Sequence, residues 1–326
     1  MTAWISEDRL SRVPAEFNPP RFILSCAIAL AMTGAAMPDA WAAGICRFPK
    51  QPPVILKNMG PCNFDPVELR FAGDTEQQAR CLLSPVYKIG HLGPPLASLP
   101  PALKDRVGRE SGLPAREALL ALLREENLDN QFGGELLQPV ARARDNDPQA
   151  PVARYMVIHD TSSPNLRGRP WPKDIDQDRS INQLARYSCS NKIERAHVFI
   201  NRTGAMLLPH DFSVPWRATK FEMAVQFGTA LKGLFLHVEL IQPRRSEPQR
   251  GRNNDFQAPQ PGFTPAQYDR LALVYVIASV RAGAWLIPAF HAVIDEGIRN
   301  KHDDPQNFEL EAFAGSLERL IQRLKP

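Results

Sequence analysis

The sequence predicts an α/β fold: a mixed central β-sheet flanked by helices, preceded by a Pro-rich, cysteine-bearing region. Short apolar, β-branched runs at 152–158, 196–201 and 234–241 read as buried strands. A strong helical signal starts at Thr264 with Pro265, and a second helical pattern covers 310–324. Strands interleaved with helices in this way build two-layer α/β domains.

Taken in order, residues 1–43 read as a signal peptide, with an uncleaved N-terminal anchor as the alternative. Arg21 precedes an apolar stretch at 22–37, and Ala40, Ala42 and Ala43 offer small residues for cleavage. The stretch is shorter than the ~20 residues that span a bilayer. A periplasmic or secreted location is therefore expected. Beyond it stand Cys46, Cys62, Cys81 and Cys189, enough for two disulfides of unreadable pairing or for buried thiols.

Residues 44–147 form a Pro-rich accessory region with one amphipathic helix at 114–126, its leucines at 119, 120, 122 and 123. The stretch 145–151 reads as a linker into the main domain, 148–326. There the first strand ends on His159. The second, 196–201, turns through Arg202, Thr203 and Gly204 into a hairpin partner at 205–208. The third, 234–241, carries His237 and Glu239 on one face by alternation.

The chain of 326 residues is 44 % hydrophobic and 23 % charged, with a formal charge of +4, which is too small and too evenly spread to indicate nucleic acid. Its 31 prolines are twice the usual share of ~5 % and favour stiff connections over continuous helices.

The chemistry sits in three separated segments. His159 closes an apolar strand where α/β proteins carry their sites, His291 follows another apolar run, and Asp303 and Asp304 precede Pro305. Three N/O ligands suit a catalytic zinc ion with a position left for water. Glu239, a carboxylate in the middle of an apolar strand, is costly to bury without a partner or a function.

The order of these pieces resembles the zinc-dependent N-acetylmuramoyl-L-alanine amidases, the family that includes phage lysozyme-type amidases and peptidoglycan-recognition proteins. The similarity runs from about residue 150 to the end and is greatest to the branch that trims anhydro-muropeptides. The matching pieces are Val157-Ile158-His159, Ala196-His197 with Arg202-Thr203-Gly204, Pro215-Trp216-Arg217, Val238-Glu239-Leu240, Thr264 with Gln267-Tyr268, and His291 with Asp304-Pro305. The resemblance implies Zn2+ held by His159, His291 and Asp304, with Glu239 as general base and then acid. It implies cleavage of the amide between muramic acid and L-alanine in peptidoglycan or muropeptides, and a protein peripheral to the cell wall. A non-catalytic muropeptide-binding module on the same fold is the alternative.

Trp216, Arg217 and His197 are the candidate substrate contacts, His197 also as support behind the ligands. The family lysine two residues before the ligand aspartate corresponds to His302 if Asp304 is the ligand, or to Lys301 if Asp303 is. Asp304 is preferred, which makes His302 the candidate electrophile. His237 stands where relatives carry a small residue and would either bond to Glu239 or crowd it. His91, His210 and the basic stretch at Arg244 and Arg245 read as solvated.

Overall fold

The computed structural model describes residues 52–57, 62–132, 135–188, 196–251 and 254–325. The expectations for residues 1–43, Cys46 and Cys189 lie outside the described residues. All described residues belong to one compact unit, Asp39–Pro326.

A two-stranded ladder, β1 (Phe64–Asp65) and β2 (Arg70–Phe71), comes first, then helices α1 (Thr75–Leu82) and α2 (Arg116–Glu125). The main sheet comprises β3 (Tyr155–Asp160), β4 (Val198–Ile200), β5 (Met206–Leu207), β6 (Phe235–Leu240) and β7 (Ile287–Phe290), in the order β5-β4-β6-β3-β7. Only the β4–β5 hairpin is antiparallel, so the sheet is mixed. Helices α3 (Pro265–Ala282), α4 (His291–Ile294) and α5 (Leu310–Leu324) complete the domain.

The helices begin and end for local reasons. The Thr264 side chain accepts from the Gln267 N–H while the Gln267 side chain accepts from the Thr264 N–H, closing a capping box worth about 1 kcal/mol. Gly283, at φ 78°, ends α3 in the left-handed conformation that glycine adopts without penalty. In α5, Phe313, Leu317, Leu320, Ile321 and Leu324 recur at helical spacing and bury one stripe.

β7 was not foreseen as a strand; its run looked like the end of a connection. Pro288 cannot donate to a ladder, and the strand lies at the sheet edge, where that loss is tolerated. Asp145 and Asn146, expected to begin a linker, instead form a fixed turn with Arg144, with φ of 54°, 58° and 66° over 144–146. The Arg144 and Asp145 N–H groups donate to the carbonyls of Ala230 and Lys232, so a backbone that reads as loose is fully tied down.

Alternation sends Tyr155, Val157 and His159 to one face of the sheet and Met156, Ile158 and Asp160 to the other. On the first face, Tyr155 and Phe235 stack and meet Phe71, which packs on Phe64 and Phe221. The Tyr155 hydroxyl donates to Gln78 of α1 and accepts from the Phe71 N–H. Phe64, Phe71, Leu119, Leu123 and Phe132 therefore share one hydrophobic cluster with the sheet, and a Cys62–Cys81 disulfide joins the β1 end to α1. On the opposite face Phe290 meets Phe308, and Phe308 meets Phe313 of α5.

Candidate metal centre

Strand register assembles the site. His159 pairs directly with Glu239, and Glu239 with Phe199, so these residues form a row at the carboxyl ends of β3, β6 and β4. Ile158 pairs with Phe290, which sets His291 beside His159 on the same face as it opens α4. The α3 amino end braces this edge, Gln267 Nε2 donating to the carbonyls of Ile200 and Ile241.

His159 Nδ1 lies 2.8 Å from His291 Nδ1, His291 Nδ1 lies 3.1 Å from Asp304 Oδ2, and His159 Nδ1 lies 3.7 Å from the same oxygen. Tetrahedral zinc with bonds of about 2.0–2.1 Å has ligand–ligand edges of about 3.3 Å, which these separations bracket. All three residues are buried. This group could hold a metal ion.

The proton positions agree with that use. His291 Nε2 is 3.1 Å from Asp295 Oδ2, and the carboxylate can only accept, so Nε2 carries a hydrogen and Nδ1 is the nitrogen left to a cation once its own proton is displaced. Asp295 sits four residues on, just past the single turn of α4, and is itself fixed by the Phe221 N–H. His159 Nε2 meets His237 Nδ1 at 3.1 Å, again leaving Nδ1 for the centre. Two imidazole nitrogens and a carboxylate oxygen thus converge on one point, which either a proton on His291 Nδ1 or a bound cation can occupy.

Titration preferences follow. Burial and the neighbouring imidazoles His291 and His237 push His159 well below the ordinary histidine value. Burial would lower His291 too, but the Asp304 and Asp295 carboxylates outweigh it and hold it well above that value. Burial opposes ionisation of Asp304, yet the His291 charge keeps its carboxyl below the usual range.

Between the two adjacent acids the structure decides by direction. The Asp304 Oδ2 faces the imidazoles and accepts from the Asp160 N–H. Asp303 instead accepts from Gln306 Nε2 at 2.6 Å and stands 3.6 Å from Arg244; burial pushes its carboxyl up to about 6. Lys301 is engaged by Glu296 and the Gly90 carbonyl. The His302 side chain is 45 % exposed, stacks on His291 at 4.1 Å, and places Nδ1 2.9 Å from Asp295. Glu239 is 8 % exposed, and its charge is felt by buried Tyr187, whose hydroxyl meets Ser163.

Several expectations are corrected. Arg244 is not solvated: it is fully buried, with Nη2 2.6 Å from Asp160 Oδ2, because Asp160 points to the closed face of the sheet and needs a counter-charge. Arg245 is half-buried over Trp171. His210 is half-buried, packing on Trp216 at 4.3 Å. His197 lines no open surface, being wholly buried against His237. His237 turns its Nδ1 to His159 Nε2. Trp216 and Arg217 are half-buried, Arg217 bonding the Gly228 carbonyl. His91 is exposed as expected.

Sequence reasoning missed Asp295, Glu222, Asp160 and Arg244. The four-residue spacing from His291 to Asp295 was the one available signal; Glu222 lies in an irregular segment without any. Set against protein-family models, curated proteins and solved structures, the chain matches none.

Proposed function

We propose that the protein is a zinc-dependent N-acetylmuramoyl-L-alanine amidase acting on peptidoglycan or muropeptides outside the cytoplasm. The observation that carries the reading is the convergence of His159 Nδ1, His291 Nδ1 and Asp304 Oδ2 at the carboxyl edge of a mixed sheet, with Glu239 in register beside His159. A disulfide at Cys62–Cys81 is consistent with an exported protein.

His159, His291 and Asp304 would hold the ion. Bound there, zinc would supply Lewis-acid polarisation of the amide carbonyl and acidify a water molecule. The Glu239 carboxylate takes the proton from water and returns it to the amine of L-alanine as the amide bond breaks. His302, with Nδ1 donating to Asp295, would turn Nε2 toward the developing oxyanion and stabilise it only with a second proton there. Trp216 and Arg217 would contact glycan or peptide.

The test is release of stem peptide with a free L-alanine amino terminus from purified wall fragments or soluble muropeptides. Chelation should abolish it and Zn2+ restore it, while Glu239→Gln should retain metal and lose about 10²–10⁴-fold in turnover. Full activity after exhaustive metal removal would falsify the reading. Binding of muropeptides by metal-loaded protein without any cleavage would make it a recognition module instead.

A further inference from the structure

The sheet interior behind the metal ligands contains polar groups that the proposed reaction does not use. His237 and Glu222 are both completely buried, and His197 is buried against them. His237 Nδ1 lies 3.1 Å from His159 Nε2, and His237 Nε2 lies 3.3 Å from Glu222 Oε2. We infer that His237 and Glu222 form a relay behind His159 that holds its Nδ1 toward a bound cation, with His237 as the positioning residue. This rests on the metal site of the proposed function, though not on the amidase reaction.

The hydrogen-bond polarity runs one way. Glu222 Oε2 already accepts from the Thr219 hydroxyl at 2.9 Å and from the N–H groups of Thr219 and Ala218. The Glu222 N–H donates back to the Thr219 hydroxyl, so a closed local turn fixes the carboxylate. His237 Nε2 faces this carboxylate at 3.3 Å as an ion-pair contact rather than a formed hydrogen bond, and the acceptor-only partner assigns the ring hydrogen to Nε2. Its Nδ1 is then an acceptor and takes the His159 Nε2–H, leaving His159 Nδ1 unprotonated.

His237 itself is held from its other side. Its N–H donates to His197 Nδ1 at 3.0 Å, and its carbonyl accepts from the His197 N–H. His197 Nε2 donates to the Val214 carbonyl, and the two rings lie nearly parallel, 12° apart. An apolar residue would fill this strand position without the cost of burying an imidazole. A histidine bonded through Nδ1 and its backbone, with Nε2 facing Glu222 at 3.3 Å, orients the ligand before it and makes His159 a stronger donor, as outer contacts to metal-bound histidines do. Asp295 gives His291 the matching support, so each imidazole ligand is backed by a carboxylate, one directly and one through His237.

The experiment measures Zn2+ affinity of the full chain by competition with a chromogenic chelator, together with the visible absorption of bound Co2+. His237→Leu should weaken Zn2+ binding about 10–100-fold and alter the Co2+ spectrum. His237→Asn keeps an acceptor near the Nδ1 position and should recover most of the affinity. Glu222→Gln, similar in size, should lose up to about tenfold and stands in if His237→Leu does not fold. A His237→Leu affinity within about twofold of wild type overturns the relay, as does Asn performing no better than Leu, or an unchanged Glu222→Gln. Wild-type protein that binds no Zn2+ overturns both this inference and the proposed function. Wild-type protein that binds Zn2+ but cleaves nothing overturns only the amidase reading, and the three variants still decide the relay.

Discussion

Filling the site with a cation should expel one proton, and the geometry gives the number. In metal-free protein near neutral pH, His159 is neutral, because burial and adjacent imidazoles hold its proton affinity down. Asp304 is ionised, the His291 charge outweighing its burial. His291 is the cation, kept so by Asp304 and Asp295 against its burial. Nδ1 of His291 must lose that proton to become a ligand. One proton should therefore leave per Zn2+, and apparent affinity should fall about tenfold, or about 1.4 kcal/mol, for each pH unit below the raised His291 value. Calorimetric titrations of Zn2+ in buffers of different ionisation enthalpy, from about pH 6 to pH 8, measure the count.

The same proton affects stability with a definite sign. A histidine whose value rises on folding stabilises the fold fully below the ordinary value of about 6.5, and that contribution disappears as pH climbs through the raised one. Metal-free protein should lose thermal stability from neutral to alkaline pH, while Zn2+-loaded protein should not. Tight binding with no proton released across this range would refute the reasoning, since it would mean His291 is neutral beside two buried carboxylates.

Three further outcomes follow from the packing. Arg244→Met leaves Asp160 and Asp303 without their buried counter-charge and should cost about 3–5 kcal/mol in denaturant unfolding, with a lowered Tm. Opening the Cys62–Cys81 disulfide, with its sequence separation of 19, should cost about 3 kcal/mol, read as a Tm difference with and without reductant. Tyr155, pushed up to about 12 by burial, stabilises the fold below its ordinary value of about 10. Up to about 3 kcal/mol should be lost between about pH 10 and pH 12, a loss that Tyr155→Phe should lack.

Much of the fold was legible because its signals are local. Thr264 and Gln267 announce a helix start by their own side-chain chemistry, and α5 spans the residues that its apolar spacing marks. β7 was hidden because Pro288 argues against a strand until its position at the sheet edge is known. Arg244 was misjudged because a run of basic residues gives no sign of a buried partner 84 positions away.

The sequence by itself determined the alternation of strands and helices, and it offered two histidines and an acidic pair as ligands. These follow from periodicity and residue chemistry, which act over a few positions. Only the tertiary structure decided that Asp304 faces the imidazoles while Asp303 turns to Arg244, and that Glu222 and Asp295 stand behind the two histidines. Apart from the four-residue step from His291 to Asp295, those choices depend on strand register and on contacts across 13 to 144 residues of chain, distances over which sequence pattern carries no orientation.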